Sequence, residues 1–383
     1  MQLFWIVLTA LLALYWILSA IDTAIGSAKI PALESVAPLE DSQCPTVSIL
    51  FTARDEAEKL PAALETFLAL DYPRLEVVAV DDRSEDATPQ ILGAAQRDSR
   101  LKFVRVNELP AGWLGKPHGL QKAFENSSGE WLVFTDADVH FSRDLLRRSV
   151  ALAQKERWDH LTLLSSVEMH SPGEKITMTF FAMGFLMGVR PWRVHDPRSK
   201  GYAGVGAFQM IRRSAYEVMG EHRRLAMEVV DDMKLGKLVK EAGIRSGVAK
   251  AWDRVRVRWH AGVGNIVRGT TKNFFAAAGY NLGLAIFQLG MLLLVCVLPW
   301  VALPFLRGWA LVLDAIAVGM TIAMEAGVAI EVGISPVYAL TEPVGALVFS
   351  WMLARSVIVT LWSGGITWRG TFYPLEDLRR GVV

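Results

Sequence analysis

Short apolar runs alternate with polar loops and helical patterns in the first part of the chain. The runs at 47–51, 76–80 and 131–134 have the length and composition of buried strands. Helical patterns follow the first two runs, at 57–70 and 88–98. The repetition of strand, polar loop and helix predicts an α/β fold with a mostly parallel sheet.

Four longer apolar stretches predict α-helical transmembrane segments. Residues 3–21 and 273–306 carry no charge and 343–368 carries a single arginine, so each is long and apolar enough to cross a bilayer. The third stretch, 309–333, contains three acids that would be costly against lipid, so we expect them to face other helices or water. This stretch is either a transmembrane helix or a re-entrant or interfacial hairpin.

The charges around the first apolar stretch predict its orientation. No Lys or Arg precedes it, and the first positive charge, Lys29, follows it. This order argues against a cleaved signal peptide and for an uncleaved anchor with the following residues in the cytoplasm. Four crossings would place the tail outside, whereas Arg369, Arg379 and Arg380 favour the inside. One re-entrant segment would remove this conflict.

Acidic residues follow each of the three predicted strands. Asp55 follows the first, Asp81 and Asp82 follow the second, and Thr135-Asp-Ala-Asp138 follows the third. The two aspartates of the last motif point the same way in a strand, so they can reach one Mg²⁺ or Mn²⁺ ion. Parallel sheets bind ligands at the carboxyl ends of their strands, so we expect these acids near one edge. Asp81 and Asp82 could instead cap the next helix.

Five segments resemble, in this order, the motifs of family 2 glycosyltransferases: Thr52-Ala-Arg-Asp-Glu56, Val80-Asp-Asp-Arg-Ser84, Gly112-Trp-Leu-Gly-Lys116, Thr135-Asp-Ala-Asp138 and Val230-Asp-Asp-Met-Lys-Leu235. The resemblance covers roughly residues 45–280. It implies the GT-A fold, a Rossmann-like α/β domain that uses nucleotide-activated sugars. The membrane segments and the Gly-Trp-Leu-Gly-Lys motif narrow the resemblance to the lipid-glycosylating branch, which includes ceramide glucosyltransferase-like, hopanoid-associated and carotenoid-acid glycosyltransferases.

This resemblance implies a role for each matching residue. The residues implied in nucleotide-sugar binding are Thr52, Arg54, Glu56, Asp81, Asp82, Lys116 and Asp136. Gln209 and Arg268 are added as candidates from the segments in which they lie. Asp138 and Asp136 would bind the metal, with Asp138 as the direct ligand. Family members usually have Asn where this chain has Asp55. Lys116 suits a diphosphate partner, although a solvated surface lysine is the alternative.

The pair Asp231-Asp232 matches the catalytic position, with Asp232 as the base. A hydroxyl is a poor nucleophile at neutral pH, so a carboxylate that removes its proton assists attack on the anomeric carbon. Alternatively, Asp232 only caps the helix that runs to Glu241. Gln209, which ends a Gly-rich segment, could contact the sugar or belong to a plain turn. Arg268 could face the diphosphate or mark the membrane surface.

The chain is therefore predicted to have five parts: an anchor at 1–29, a linker at 30–45, a GT-A domain at 46–270, about three apolar segments at 271–367, and a tail at 368–383. A net charge of +1 does not indicate nucleic-acid binding. The two cysteines lie in the linker and in an apolar stretch, so we expect no disulfide, and no His/Cys cluster suggests zinc.

We expect a metal-dependent hexosyl- or N-acetylhexosaminyltransferase that inverts the anomeric centre. Its donor would be a nucleoside-diphosphate sugar, with a UDP-sugar expected, and its acceptor a lipid hydroxyl or carboxyl group at the cytoplasmic face of a bacterial membrane. A processive polysaccharide synthase is disfavoured because Thr271 and Lys272 stand where such relatives carry the Arg-Trp of Gln-x-x-Arg-Trp. A nucleotidyltransferase and a non-catalytic scaffold are further alternatives.

Overall fold

A computed structural model describes residues 2–383. Its strands are β1 Val47–Ala53, β2 Leu75–Asp82, β3 Leu101–Val106, β4 Trp131–Phe134, β5 Val139–Phe141, β6 His160–Leu164, β7 Ser166–Val167, β8 Gln209–Arg212, β9 Ser246–Lys250, β10 Val255–Val257, β11 Gly365–Trp368 and β12 Thr371–Pro374.

The helices follow the same chain order. They are α1 Gln2–Ser27, α2 Leu60–Leu68, α3 Thr88–Ala95, α4 Gly115–Glu125, α5 Leu145–Glu156, α6 Pro172–Val189, α7 Arg213–Met219, α8 Asp231–Glu241, α9 Val263–Thr270, α10 Asn273–Ala277, α11 Leu282–Leu292, α12 Leu298–Ala302, α13 Gly308–Glu331, α14 Glu342–Ser363 and α15 Leu375–Arg380.

The chain divides into two compact units. We call them the sheet unit, residues 30–168, 191–259 and 369–383, and the helical unit, which comprises the chain up to Lys29 with residues 169–190 and 260–368. Residues 169–190 and 260–270 fall in the helical unit, although they lie inside the range predicted for the α/β domain. The tail beyond residue 368 falls in the sheet unit.

A seven-stranded sheet in the order β3-β2-β1-β4-β8-β6-β9 forms the centre of the sheet unit. The strands β2, β1 and β4 are adjacent and parallel, as the sequence predicted, while β8 runs antiparallel to β4 and β6. Alternate residues of β1 enter different apolar clusters, with Ile49 and Phe51 in one and Leu50 in the other. Both faces of the sheet are therefore covered, which explains the unbroken apolar runs of its strands.

Four stretches of the helical unit are long and apolar enough to cross a membrane: Gln2–Ser27, Leu282–Phe305, Gly308–Glu331 and Pro336–Ser363. Asp314 and Glu325 of α13 are buried inside this unit, and the Ser27 hydroxyl donates to Glu331 at 2.8 Å. The acids of the third stretch thus face protein, as expected for charged groups in an apolar helix.

Candidate active site

The loops that follow β1 and β2 are joined by hydrogen bonds. The Asp55 amide donates to Ser84 Oγ at 3.0 Å, and the Glu56 amide donates to Thr88 Oγ1 at 2.9 Å. In return, Asp55 Oδ1 accepts the Glu85 amide at 2.8 Å. These bonds hold the first two predicted motifs side by side at the carboxyl edge of the sheet, where α/β folds bind ligands.

Asp81 and Asp82, at the end of β2, have different partners. Asp81 is fully buried, its Oδ1 accepts the Ser84 amide at 3.3 Å, and burial raises the pKa of its carboxyl group. Asp82 accepts two hydrogen bonds from Arg83, at 2.7 and 3.0 Å. The helix α3 begins after Ala87, so neither aspartate caps it, and the capping alternative is wrong for this pair.

Two glycines let α4 lie directly against the ends of β1 and β2. A Cβ atom on Gly115 would lie 2.2 Å from Asp82 Oδ2, and one on Gly119 would lie 2.3 Å from Thr52 Oγ1. The Thr52 hydroxyl is buried there without a hydrogen-bond partner. This close packing puts Lys116 in the first turn of α4, beside the carboxyl edge of the sheet.

Lys116 lies among three carboxylates. Its Nζ is 2.7 Å from Asp136 Oδ1 and 3.6 Å from Asp231 Oδ2, and Asp232 also contributes a negative charge. Burial alone would lower the pKa of Lys116, but the neighbouring carboxylates raise it above its usual value. The side chain is only 22% exposed, so the surface-lysine alternative is wrong. The structure therefore places the Lys116 ammonium group next to the predicted catalytic pair.

The predicted metal pair does not share one cation. Asp136 is paired with Lys116, whereas Asp138 Oδ2 lies 2.8 Å from Lys59 Nζ. Among residues 2–383, no group of three or more His, Cys, Asp or Glu side chains is arranged to hold a metal ion. The two carboxylates are nevertheless the hard oxygen donors that Mg²⁺ and Mn²⁺ prefer.

Asp232 is held by two backbone amides at the start of α8. Its Oδ1 accepts the Met233 amide at 2.7 Å, and its Oδ2 accepts the Gly206 amide at 3.0 Å. A Cβ atom on Gly204 would lie 1.8 Å from the Asp232 carbonyl oxygen. The Gly-rich loop before β8 therefore needs glycine at this position, because its backbone approaches α8 closely. Asp232 therefore accepts a backbone hydrogen bond at the start of α8, and it also lines a small pocket together with Lys116 and Asp231.

Gln209 fixes the start of α8 through a buried relay that sequence reasoning missed. Its Nε2 donates to the Asp232 carbonyl at 3.1 Å, and its Oε1 lies 3.2 Å from His160 Nε2. His160 Nδ1 lies 2.8 Å from Ser246 Oγ, and burial lowers the pKa of the ring to about 4. Because the Gln209 oxygen only accepts, the proton belongs on Nε2, and Nδ1 accepts from the serine.

Two further contacts concern predicted nucleotide residues. Arg369 of the tail forms an ion pair with Glu56, and the Arg54 Nη1 group donates to Thr371 Oγ1 at 3.3 Å. Burial raises the pKa of Glu56, and the Arg369 guanidinium opposes that rise. Arg268 lies in α9 of the helical unit, where it donates to Asn265 at 2.6 Å. Its predicted role at a diphosphate stays a prediction.

Three comparisons relate the chain to known proteins. Residues 48–220 match the family model described as glycosyl transferase family 2. The poly-beta-1,6-N-acetyl-D-glucosamine synthase of Staphylococcus epidermidis is 27% identical over 135 residues, which are 35% of this chain and 31% of that protein. The 4,4'-diaponeurosporenoate glycosyltransferase of Staphylococcus aureus is 22% identical over 238 residues, which are 61% of this chain and 62% of that protein. Both matches therefore span less than two thirds of the relative's length.

A solved structure resembles most of the chain. The mannosyltransferase PcManGT from Pyrobaculum calidifontis, in complex with GDP-Man and Mn²⁺, aligns with a TM-score of 0.56 and 19% identity. The alignment covers 94% of this chain and 99% of that chain. At this level of identity the likeness concerns the fold, and it agrees with the GT-A fold expected from the sequence motifs.

Proposed function

We propose that the protein is a family 2 glycosyltransferase, whose family model residues 48–220 match, and that it transfers a single sugar from a nucleoside-diphosphate sugar to a lipid acceptor, with inversion. The observation that carries this proposal is the convergence of Lys116 with Asp136, Asp231 and Asp232 at the carboxyl edge of the sheet. The arrangement supplies a base for the acceptor and a cation for the leaving group.

In this reaction Asp232 is the general base. It takes the proton of the acceptor hydroxyl while the acceptor oxygen forms its bond to the anomeric carbon. The bond between that carbon and the phosphate oxygen breaks, and the nucleoside diphosphate leaves with the electron pair. Two backbone amides hold the Asp232 carboxylate in position, so little reorganisation is needed as the proton moves.

Lys116 balances the charge of the leaving diphosphate. Its ammonium group is held by Asp136 and Asp231 and lies at the N-terminus of α4, where helix dipoles favour anions. Asp138 and Asp136 would hold a divalent ion, for which their carboxylate oxygens are suitable donors. Such an ion supplies further positive charge for the diphosphate. Mn²⁺ accompanies GDP-Man in the structurally similar mannosyltransferase.

A lipid acceptor accounts for the apolar helices. The helical unit exposes large apolar side chains along its long helices, among them Leu3, Phe287, Trp309 and Trp362. Exposed apolar surfaces of this extent indicate contact with lipid. The similarity to the diaponeurosporenoate glycosyltransferase extends over 238 residues, and that relative's name states a carotenoid acid as its acceptor. We therefore place the reaction at the cytoplasmic face of a bacterial membrane, with a UDP-sugar as the expected donor.

The test uses the full chain purified in detergent. We would incubate it with labelled UDP- and GDP-sugars, Mn²⁺ or Mg²⁺ and a total lipid extract, and follow the label into the organic phase by mass spectrometry. Asp232→Asn should lower the rate about 10²- to 10⁴-fold, the typical contribution of a general base. A chelator should abolish transfer.

The matched control is Asp253→Asn, which removes an exposed carboxylate from the same unit and should leave the rate unchanged. Transfer that survives Asp232→Asn at the wild-type rate would exclude Asp232 as the base. Release of pyrophosphate instead of nucleoside diphosphate would indicate a nucleotidyltransferase. A protein that binds donors but transfers to no lipid would favour a scaffold.

A processive synthase is the second candidate, because the chain is similar to a poly-beta-1,6-N-acetyl-D-glucosamine synthase over 135 residues. Product length distinguishes the two functions in the same assay. A product with one added sugar supports the single transfer, whereas a ladder of masses supports a polymerase.

A further inference from the structure

The tail, residues 369–383, belongs to the sheet unit although the long apolar helices precede it in the chain. Tyr373 and Leu378 are buried there, so the tail is packed as part of the unit. Beyond α15, the Val383 amide donates to Glu228 Oε2 at 3.2 Å. The tail thus has contacts near both of its ends.

Three separate links join the tail to the predicted nucleotide residues. Arg369 pairs with Glu56, and Thr371 accepts a hydrogen bond from Arg54 at 3.3 Å. Tyr373 is buried and interacts with Arg83, whose guanidinium donates two hydrogen bonds to Asp82. The motif after β1 and the motif after β2 are therefore each in contact with at least one residue of the tail.

The backbone at this corner is also unusual. Asp55, Arg83 and Arg369 all have left-handed conformations, with φ values of 53°, 58° and 48°. Such conformations are costly for residues other than glycine and persist where the surroundings enforce them, often at ligand sites. Here each of these residues, or its immediate neighbour, takes part in the contacts between the tail and the two loops.

We propose that the tail forms a wall of the donor-nucleotide pocket, in which Arg369 positions Glu56 and Tyr373 positions the Arg83–Asp82 pair. The ligand class is a nucleoside diphosphate, and the proposal rests on the function proposed above. Arg369 is a positioning residue here, since it acts through Glu56. A planar guanidinium can hold a carboxylate in a fixed orientation, which a single ammonium charge does less well.

The first test is the binding of UDP and of GDP, each with Mn²⁺, to the full chain in detergent by isothermal titration calorimetry. Arg369→Ala should raise the dissociation constant about tenfold or more, as expected for the loss of a charge-assisted contact. Arg369→Lys should recover part of this loss, and Tyr373→Phe should weaken binding by a smaller factor. The matched control is Arg380→Ala, because Arg380 lies in the same tail and, among residues 2–383, forms its ion pairs with its helix neighbours Glu376 and Asp377.

Two further measurements separate a positioning role from a structural one. For Arg369→Ala, the donor KM should rise while kcat changes little. The melting temperature without nucleotide should stay near the wild-type value, while the rise that UDP or GDP causes in the wild type should shrink. A lowered melting temperature with unchanged nucleotide affinity would show that the tail only stabilises the fold.

The outcomes also separate this proposal from the proposed function. If the wild type binds a nucleotide and Arg369→Ala binds it equally well, the tail has no part in the pocket, while the glycosyltransferase function stands. If the wild type binds neither UDP nor GDP and transfers no sugar, both proposals fail together.

Discussion

At the scale of single residues, His160 is part of a buried chain of hydrogen bonds that reaches the start of α8. Its ring lies between Ser246 and Gln209, and Gln209 holds the Asp232 carbonyl. A neutral imidazole with its proton on Nε2 fits both neighbours, since Nε2 donates to the Gln209 oxygen and Nδ1 accepts from the serine hydroxyl. The buried surroundings of the ring favour the same neutral form.

This burial makes the stability of the protein depend on pH. In the unfolded chain the His160 ring binds a proton below about pH 6.5, whereas in the folded protein it stays neutral down to about pH 4. The unfolded state thus binds more protons in this window, so the free energy of unfolding falls as the pH drops from 6.5 to 4. The loss from this residue should reach about 3 kcal/mol.

The measurement is chemical denaturation of the detergent-solubilised protein at a series of pH values. His160→Gln removes the titrating ring but keeps a polar side chain, so its stability should fall less steeply over the same window. Equal slopes for the variant and the wild type would exclude His160 as the source of the acid sensitivity.

The sequence predicted that acidic residues would gather at one edge of the sheet, because they lie in short motifs at the ends of strands. Lys116, Asp136, Asp231 and Asp232 do lie close together, while their roles stay predictions. His160 could not be found, because a lone histidine at the start of a strand carries no motif. Its function arises from contacts with residues 49 and 86 positions away.

At the scale of elements, α4 depends on two glycines on the face that it turns to the sheet. Gly119 contacts Thr52 of β1, and Gly115 contacts Asp82 at the end of β2. Glycine is normally unfavourable within a helix, so its presence here reflects the closeness of the strands. The helix could not approach the sheet in this way with a side chain at either position.

Gly119→Ala should therefore destabilise the fold. The added methyl group would lie 2.7 Å from Thr52 Cβ, and overpacking of this kind costs about 1–3 kcal/mol. Gly93→Ala is the matched control, because a Cβ atom there meets nothing within 4 Å. It should stabilise α3 by about 0.5–1 kcal/mol through helix propensity. Chemical denaturation measures both effects, and equal signs for the two variants would contradict the packing argument.

The pattern of apolar residues predicted the parallel strands and the helices after them, but it did not predict where the helices begin and end. The pattern at 57–70 predicted a longer helix than α2, which begins at Leu60, next to Pro61. The residues before it instead form the hydrogen-bonded loop around the left-handed Asp55. The conformation of that loop depends on contacts with the loop after β2, and a local sequence pattern cannot show such contacts.

At the scale of the whole molecule, contacts within the helical unit bear on how often the chain crosses the membrane. The starts of α1 and α13 share an apolar cluster that contains Trp5 and Ala310, and their ends meet through Ser27 and Glu331. The two helices are therefore parallel. Leu282–Phe305 directly precedes α13, so if both cross a membrane they cross it in opposite directions.

The stretch that ends with α14, Pro336–Ser363, is long enough to cross, yet the second half of α14 contacts the chain just before α11. Its Ser356 hydroxyl accepts the Phe275 amide at 2.9 Å, just before α11. Gly345, in its first half, packs on Phe180 of α6. The helix α6 ends at an ion pair between Arg190 and Asp22, near the end of α1. The end of α14 therefore lies on the side where Leu282–Phe305 starts. We expect the stretch Pro336–Ser363 to enter and leave a membrane on one side, which is the side that the arginines of the tail favour.

Cysteine accessibility tests this topology. We would replace the buried Cys44 and Cys296 and introduce single cysteines at Arg307, between α12 and α13, and at Arg380 in the tail. In intact cells, a membrane-impermeant maleimide should label Arg307→Cys but not Arg380→Cys. Permeabilised cells should show labelling of both. Labelling of Arg380→Cys in intact cells would mean that α14 crosses the membrane.

The position of the tail in the chain also affects when the protein matures during synthesis. A ribosome makes α1 first, then residues 30–259, then the later apolar helices, and only afterwards the segment that contacts Glu56 and Arg83. A nascent chain whose later apolar helices have not yet been made therefore still lacks Arg369 and Tyr373. With the tail as a pocket wall, the ability to hold a nucleotide sugar would be acquired only after all the apolar helices have been synthesised, so chains that lack the later helices would not consume donor.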